Sequence, residues 1–188
     1  MHKFLSLLFL ASLVSCAHGT QKDSKLDISA PNSKGSPNDS TSIEAKLAAA
    51  EDGSSDVTEI KFKKTSSHLS EKNKKKIEAA LARAQKQAKI THSSIVAWSD
   101  EEMPKHSEKN LSKGSIELAS TRAQVIKDYL QNNHPGFGIE IVNMAKRPGK
   151  FKDFLETNDV RIQKAFATAG TGDSKASHAI IIIETDQK

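Results

Sequence analysis

Near the end of an otherwise polar chain stand five consecutive apolar residues, Ala179-Ile180-Ile181-Ile182-Ile183. Neighbouring side chains on a strand point to opposite faces, so an apolar run with no polar member predicts a buried central strand. Such a strand needs partners, and candidates lie upstream. Val57-Thr58-Glu59-Ile60-Lys61-Phe62 alternates apolar with polar, the pattern of a half-buried strand. Ile90 to Trp98 carries β-branched residues and reads as a second strand; Ile139 to Met144 reads as a third. Helical periods fill the gaps. Ser70 is placed to N-cap a helix on which Ile77, Leu81, Ala84 and Ala88 recur. Ile116, Ala119, Ala123, Ile126 and Leu130 form the stripe of a second helix, stopped by His134-Pro135-Gly136. A third helix is expected over Phe151 to Ala167. The order β-α-β-α-β-α-β predicts an α/β (α+β) sandwich, with helices packed on one sheet, as a single domain over residues 57–188.

The N-terminus follows different rules. Lys3 leads into an apolar run from Phe4 to Leu13, then small residues, then the only cysteine, Cys16. That is the order of a secretory signal, and the run falls short of the ~20 residues a spanning helix requires. Leu13-Val14-Ser15-Cys16 also resembles the lipobox of bacterial lipoproteins, in which the cysteine is acylated and becomes the mature N-terminus. A lone cysteine in an exported chain has no disulfide partner, and acylation accounts for both its presence and its position. The resemblance implies a signal peptide at residues 1–15 and a lipid anchor at Cys16. Each buried acyl CH2 contributes ~0.8 kcal/mol, so several chains together hold a membrane firmly. Ala17, rather than aspartate, follows the cysteine; by resemblance to enterobacterial sorting this implies the outer membrane, with the head facing the periplasm.

From residue 16 to 56 the chain is rich in Ser, Lys, Asp, Asn and Gly, with Pro31 and Pro37 and few large apolar residues. It reads as a flexible tether with a transient helix over Ile43 to Ala50. Its mean span is roughly 35 Å, and its full reach is on the order of 130 Å. The whole sequence carries a formal charge of +5, densest at Lys72 to Lys76, where a solvated helix face is the simplest account. An exported protein of this composition points away from nucleic acid as a partner.

Two segments carry a further resemblance. Trp98-Ser99-Asp100 closes the second strand. The second helix contains Leu118-Ala119-Ser120-Thr121-Arg122-Ala123-Gln124-Val125-Ile126-Lys127-Asp128-Tyr129-Leu130. Together with the element order they resemble the OmpA-like peptidoglycan-binding domain, which carries an aspartate turn after strand two and an Arg-Ala…Tyr-Leu helix. The likeness spans about Val57 to Glu184. It implies a mixed sheet and a non-enzymatic binding module without metal or cofactor. It also implies that Asp100 and Arg122 grip the diaminopimelate residue of the wall peptide. The chemistry is intelligible: diaminopimelate presents a free ammonium and a free carboxylate on one stereocentre. A carboxylate and a guanidinium match them, the latter in a fork.

Several residues depart from the family pattern. Asp100 and Arg122 are 22 positions apart, with extra residues in Glu101 to Lys113. Ala97 stands where glycine is usual. Lys175-Ala176-Ser177-His178 replaces the paired arginines that commonly open the last strand. Asn110 is a candidate for the family's loop asparagine only if the loop folds back, and Arg147 and Arg161 are candidates for a second cation. The alternative expectation is therefore a divergent OmpA-like interaction domain that has lost wall binding and binds another envelope protein. Residue by residue, simpler accounts also stand. Asp100 would cap a turn, Arg122 would pair on the helix surface with Glu117 or Asp128, and Trp98 would be a packing residue. The cluster Asp100-Glu101-Glu102 lacks a histidine at recognisable spacing for metal or acid–base work. His68, His92, His106, His134 and His178 show no zinc spacing.

Overall fold

The computed structural model describes residues 41–42, 45–46, 49–50, 54, 56–104, 109–149, 157–168 and 174–186. Cys16 and the expected signal and proximal tether lie outside the described residues. Among the described residues the elements with defined bounds are, in order, β1 (Asp56–Lys61), α1 (Glu71–Gln87), β2 (Ile90–Ala97), α2 (Lys113–Asn133), β3 (Gly138–Asn143), α3 (Asn158–Thr168) and β4 (His178–Thr185). The four strands form one sheet in the order β1-β4-β2-β3. β4 runs antiparallel to β1 and to β2, while β2 and β3 are parallel, so the sheet is mixed. This is the expected α+β architecture.

Capping chemistry begins the two long helices. Ser70 Oγ accepts from the Asn73 N–H at 3.3 Å, and Ser112 Oγ accepts from the Ser115 N–H at 3.1 Å. Each satisfies one backbone donor that the first turn leaves without an intrahelical acceptor. α1 ends one residue before Ala88, which caps it rather than extending its apolar stripe. After α2, Gly136 takes φ +115°, a conformation open to glycine, and returns the chain to β3. Of the third expected helix, Asn158–Thr168 is observed as α3, and residues 151–156 lie outside the described residues.

β4 sits inside the sheet, and its side chains divide by parity. Ala179, Ile181 and Ile183 join Ile60, Ile95, Leu81, Ile126 and Leu130 beneath α1 and α2. Ile180 and Ile182 join Val57, Val96, Trp98, Val142 and Ile162 on the opposite face. The isoleucine run is fully buried because each face is covered. Ala45 and Ala49, helical residues of the stretch read as tether, belong to that second face at 0% and 4% exposure. Their presence on the face of Val57 and Glu59, with α1 covering the face of Thr58 and Ile60, explains a difference from expectation on β1. A half-buried strand would expose its polar side chains, yet Val57, Thr58, Glu59 and Ile60 are all buried. Glu59 remains only 7% exposed.

Candidate functional site

Arg122 lies on the buried face of α2, between Ala119 and Ala123. These two small neighbours leave room for the long side chain to lie along the end of the sheet. There the guanidinium meets the three segments that converge at that end. Nε donates to the Ser66 carbonyl at 2.9 Å and Nη1 to the Trp98 carbonyl at 3.0 Å. Nη2 donates to the Lys63 carbonyl at 3.2 Å and to Asp100 Oδ1 at 2.6 Å. The Phe62 ring lies 5.2 Å from the guanidinium carbon, within cation–π range. Sequence separation thus becomes contact: the two residues singled out for the wall peptide form an ion pair.

Asp100 is as heavily engaged as its partner. Oδ1 also accepts from Ser177 Oγ at 2.6 Å, and Oδ2 accepts from the Thr65 N–H at 2.5 Å. Its side chain keeps 13% exposure, against 0% for Arg122. Burial raises the Asp100 pKa. Hydrogen bonds from Ser177, Arg122 and Thr65, with the Arg122 charge, outweigh burial and hold the carboxyl below its ordinary value of 3.8. A carboxyl depressed by folding contributes stability that is complete above its unfolded value and lost as pH falls through its folded value. Wild-type stability is therefore expected to fall as pH drops below 3.8, and Asp100→Asn to show a shallower fall. Equal slopes in denaturant titrations of the two proteins would contradict this role for the pair.

The other sequence candidates fall elsewhere. Arg122 makes no pair with Glu117 or Asp128; it is drawn inward because the carbonyls of Lys63, Ser66 and Trp98 lie at the sheet end. Trp98 is a packing residue, 5% exposed, with its ring edge-on to Phe166 at 5.2 Å between centroids. Asn110, at the far end of the long loop after Asp100, is tied to the segment after β3. Asn110 Oδ1 accepts from the Arg147 N–H at 2.7 Å, and Leu111 N–H donates to the Ala145 carbonyl at 3.0 Å. Arg147 reaches the Pro104 carbonyl at 3.0 Å, so it braces this loop rather than supplying a second cation to Asp100. Arg161 is exposed on α3. Glu101 is held by Ser115 Oγ at 3.3 Å; Glu102 accepts from Ser174 Oγ at 3.1 Å and from the Lys175 N–H. Among the described residues, no group of three or more His, Cys, Asp and Glu side chains converges as a metal site would require.

Sequence reasoning missed Thr65 and Ser177, the two residues that complete the shell around Asp100. Both take positive φ, 58° and 62°, without being glycine or asparagine, so the usual composition cue for that backbone is absent. A groove of about 690 Å³ adjoins the pair, lined by Thr65 to Leu69, Lys74, Val125 and Tyr129. Thr65 and Ser66 thus serve both groove and ion pair. At its far side the Tyr129 hydroxyl donates to Glu78 Oε1 at 2.6 Å. That hydrogen bond, with burial and the Glu78 charge, pushes the Tyr129 pKa up to about 12. Compared with known proteins, the chain matches no family model, no curated protein and no solved structure.

Proposed function

We propose that this protein is an outer-membrane lipoprotein, anchored through Cys16, whose periplasmic α/β head holds peptidoglycan non-covalently by its diaminopimelate residue. The supporting observation is the meeting of Asp100 and Arg122 at 2.6 Å, from elements 22 positions apart. An acid and a base on fixed supports form a grip for a zwitterion. Among the described residues no helix is long and apolar enough to cross a membrane, and lipid supplies the attachment in this reading.

Engagement has an energetic condition. Arg122 has no exposed surface, so a ligand carboxylate must replace carbonyl acceptors on the Lys63 to Ser66 segment. Each hydrogen bond to a charged group contributes ~1.5–3 kcal/mol. A forked carboxylate supplies two stronger ones, so the exchange is close to balanced and the single-site affinity modest. A repeating polymer and a membrane-held head then raise the effective affinity by avidity. The zero exposure of Arg122 favours a second reading, in which the pair is an internal clamp and the head binds another envelope protein.

One sedimentation experiment separates the two. The full-length protein is mixed with purified diaminopimelate-type peptidoglycan, with and without excess free meso-diaminopimelate. The first reading expects co-sedimentation that the free amino acid abolishes and that Asp100→Asn reduces at least tenfold while the fold persists. Binding insensitive to free diaminopimelate, or no binding, favours the second. Release of soluble wall fragments would point instead to a hydrolase.

A further inference from the structure

Glu59 is a carboxylate facing the second side of the sheet, with its side chain 8% exposed. Its Oε2 accepts from the Ser42 N–H at 3.1 Å. Ser42 in turn caps the helical residues that follow: its carbonyl accepts from Lys46 N–H at 3.2 Å and its Oγ from Ala45 N–H at 3.4 Å. Glu59 Oε1 receives Lys175 Nζ at 3.4 Å and lies 3.7 Å from His178 Nε2. The carboxylate therefore ties Thr41, Ser42, Ala45 and Ala49 to the turn that opens β4. Burial raises the Glu59 pKa, but the Ser42 hydrogen bonds and the Lys175 and His178 charges outweigh it and leave the carboxyl below its ordinary value.

The same turn holds the ion pair at its other end. Ser177 Oγ donates to Asp100 Oδ1 at 2.6 Å. Ser177 N–H donates to the Ser99 carbonyl at 2.6 Å, and the Ser177 carbonyl accepts from Phe62 N–H at 2.7 Å. Residues Lys175 to Ser177 also bind Glu102 in the long loop through the Lys175 N–H. A path of hydrogen bonds and charge contacts, bridged by the covalent chain between Lys175 and Ser177, thus runs from Ser42 through Glu59 and the turn to Asp100 and Arg122. Lys175 and Ser177 sit in one tight turn, closed by the His178 N–H donating to the Lys175 carbonyl at 3.0 Å, so a backbone shift that takes Lys175 off Glu59 also moves the hydroxyl that Asp100 depends on.

We infer that the stretch carrying Thr41, Ser42, Ala45 and Ala49 is a releasable latch whose seating is linked, through the Lys175 to His178 turn, to closure of the Asp100–Arg122 pair. Seated and closed is one state; released and open is the other. Linkage of this kind is reciprocal, so whatever opens the pair loosens the latch by the same factor. Its use in the cell rests on the function proposed above. Release would free the chain from Thr41 to Ser54, whose fully extended reach is at most roughly 45–50 Å, and a wall ligand that opens the pair would pay out part of that length.

Amide exchange in the full-length chain tests the linkage without any ligand. The probes are Lys46 N–H in the latch, Thr65 N–H at the pair and Ile126 N–H in α2. Ala45→Asp and the milder Ser42→Pro, which removes the N–H that Glu59 holds, are expected to speed exchange at Lys46 and, on the order of tenfold, at Thr65. Ser177→Ala is expected to speed Lys46 in return, and Lys175→Met combined with His178→Leu, which removes both cations that face Glu59 from the turn, to abolish both cross-effects. Ile126 should stay protected throughout. Effects confined to the mutated end, cross-effects that survive the double substitution, or a matching rise at Ile126 would each overturn the linkage. A diaminopimelate-insensitive protein that still shows the cross-effects would sink the wall-binding function and leave the latch standing.

Discussion

Arg122→Met is expected to lower the unfolding free energy by about 3–5 kcal/mol, with a fall in Tm of roughly 10–15 °C. The substitution keeps the aliphatic bulk on the buried face of α2, so the loss isolates the guanidinium. Four hydrogen bonds disappear at once, to the Lys63, Ser66 and Trp98 carbonyls and to Asp100. Three backbone carbonyls lose their charged donor, and Asp100 loses its counter-ion. Because Asp100 keeps 13% exposure and its Ser177 and Thr65 donors, water relieves part of the deficit, and the loss should fall near the lower bound. Arg122→Lys restores the charge without the planar fork, so it should recover only a fraction. Urea denaturation of the three proteins checks this; an Arg122→Met midpoint equal to wild type would mean that the pair is not a structural clamp. Loss of wall binding in an Arg122 variant carries weight only beside such a stability measurement, and for that reason the binding test relies on competition by free diaminopimelate.

Trp98→Ala is expected to cost about 3–5 kcal/mol. Trp98 is the only tryptophan in the chain and is 5% exposed, where it joins Val96, Ile180 and Ile182 to Ile162 and Phe166 of α3. Its removal leaves a large cavity under α3, whose Ile162 and Phe166 pack on the same face of the sheet. The edge-on geometry with Phe166 adds a separable share. A double-mutant cycle with Phe166→Ala should give a coupling of about 0.5–1.5 kcal/mol. A cost below 1 kcal/mol would mean that α3 does not rely on the indole. Since the Trp98 carbonyl, not its ring, accepts from Arg122, exchange at Thr65 N–H should change far less than in Arg122→Met.

Both expectations concern residues visible in the sequence, yet only one could be assigned its role there. Trp98 reads as a packing residue because a large ring at the end of an apolar β-branched strand has somewhere to go. The isoleucines of β4 and the Ser70 cap are legible for the same reason: period and punctuation act within one turn or one strand, where neighbours in sequence are neighbours in space. Asp100 and Arg122 are legible as a pair only through the family resemblance. What remained hidden was their enclosure. Thr65 and Ser177 adopt a backbone their residue types do not advertise, and Ser177 lies 77 residues from the carboxylate it binds.

The tether shows the same division at the other end of the domain. Its polar composition predicts freedom from the head, yet alanines are enough to fill a shallow site over Val57, Ile180 and Ile182, and their burial takes Glu59 with them. Composition counts apolar area and misses helical residues, Ala45 and Ala49, whose small side chains let them lie close to a sheet. The chain alone, then, determines which stretches are strand, helix and turn, and that β4 must be interior, since those outcomes follow from local sterics and from the spacing of apolar groups. Only the assembled fold decides that Glu59 is buried, that the alanines are seated, and that Arg122 faces its own backbone. Each of these depends on groups from distant segments arriving at one point, and no local period encodes that convergence.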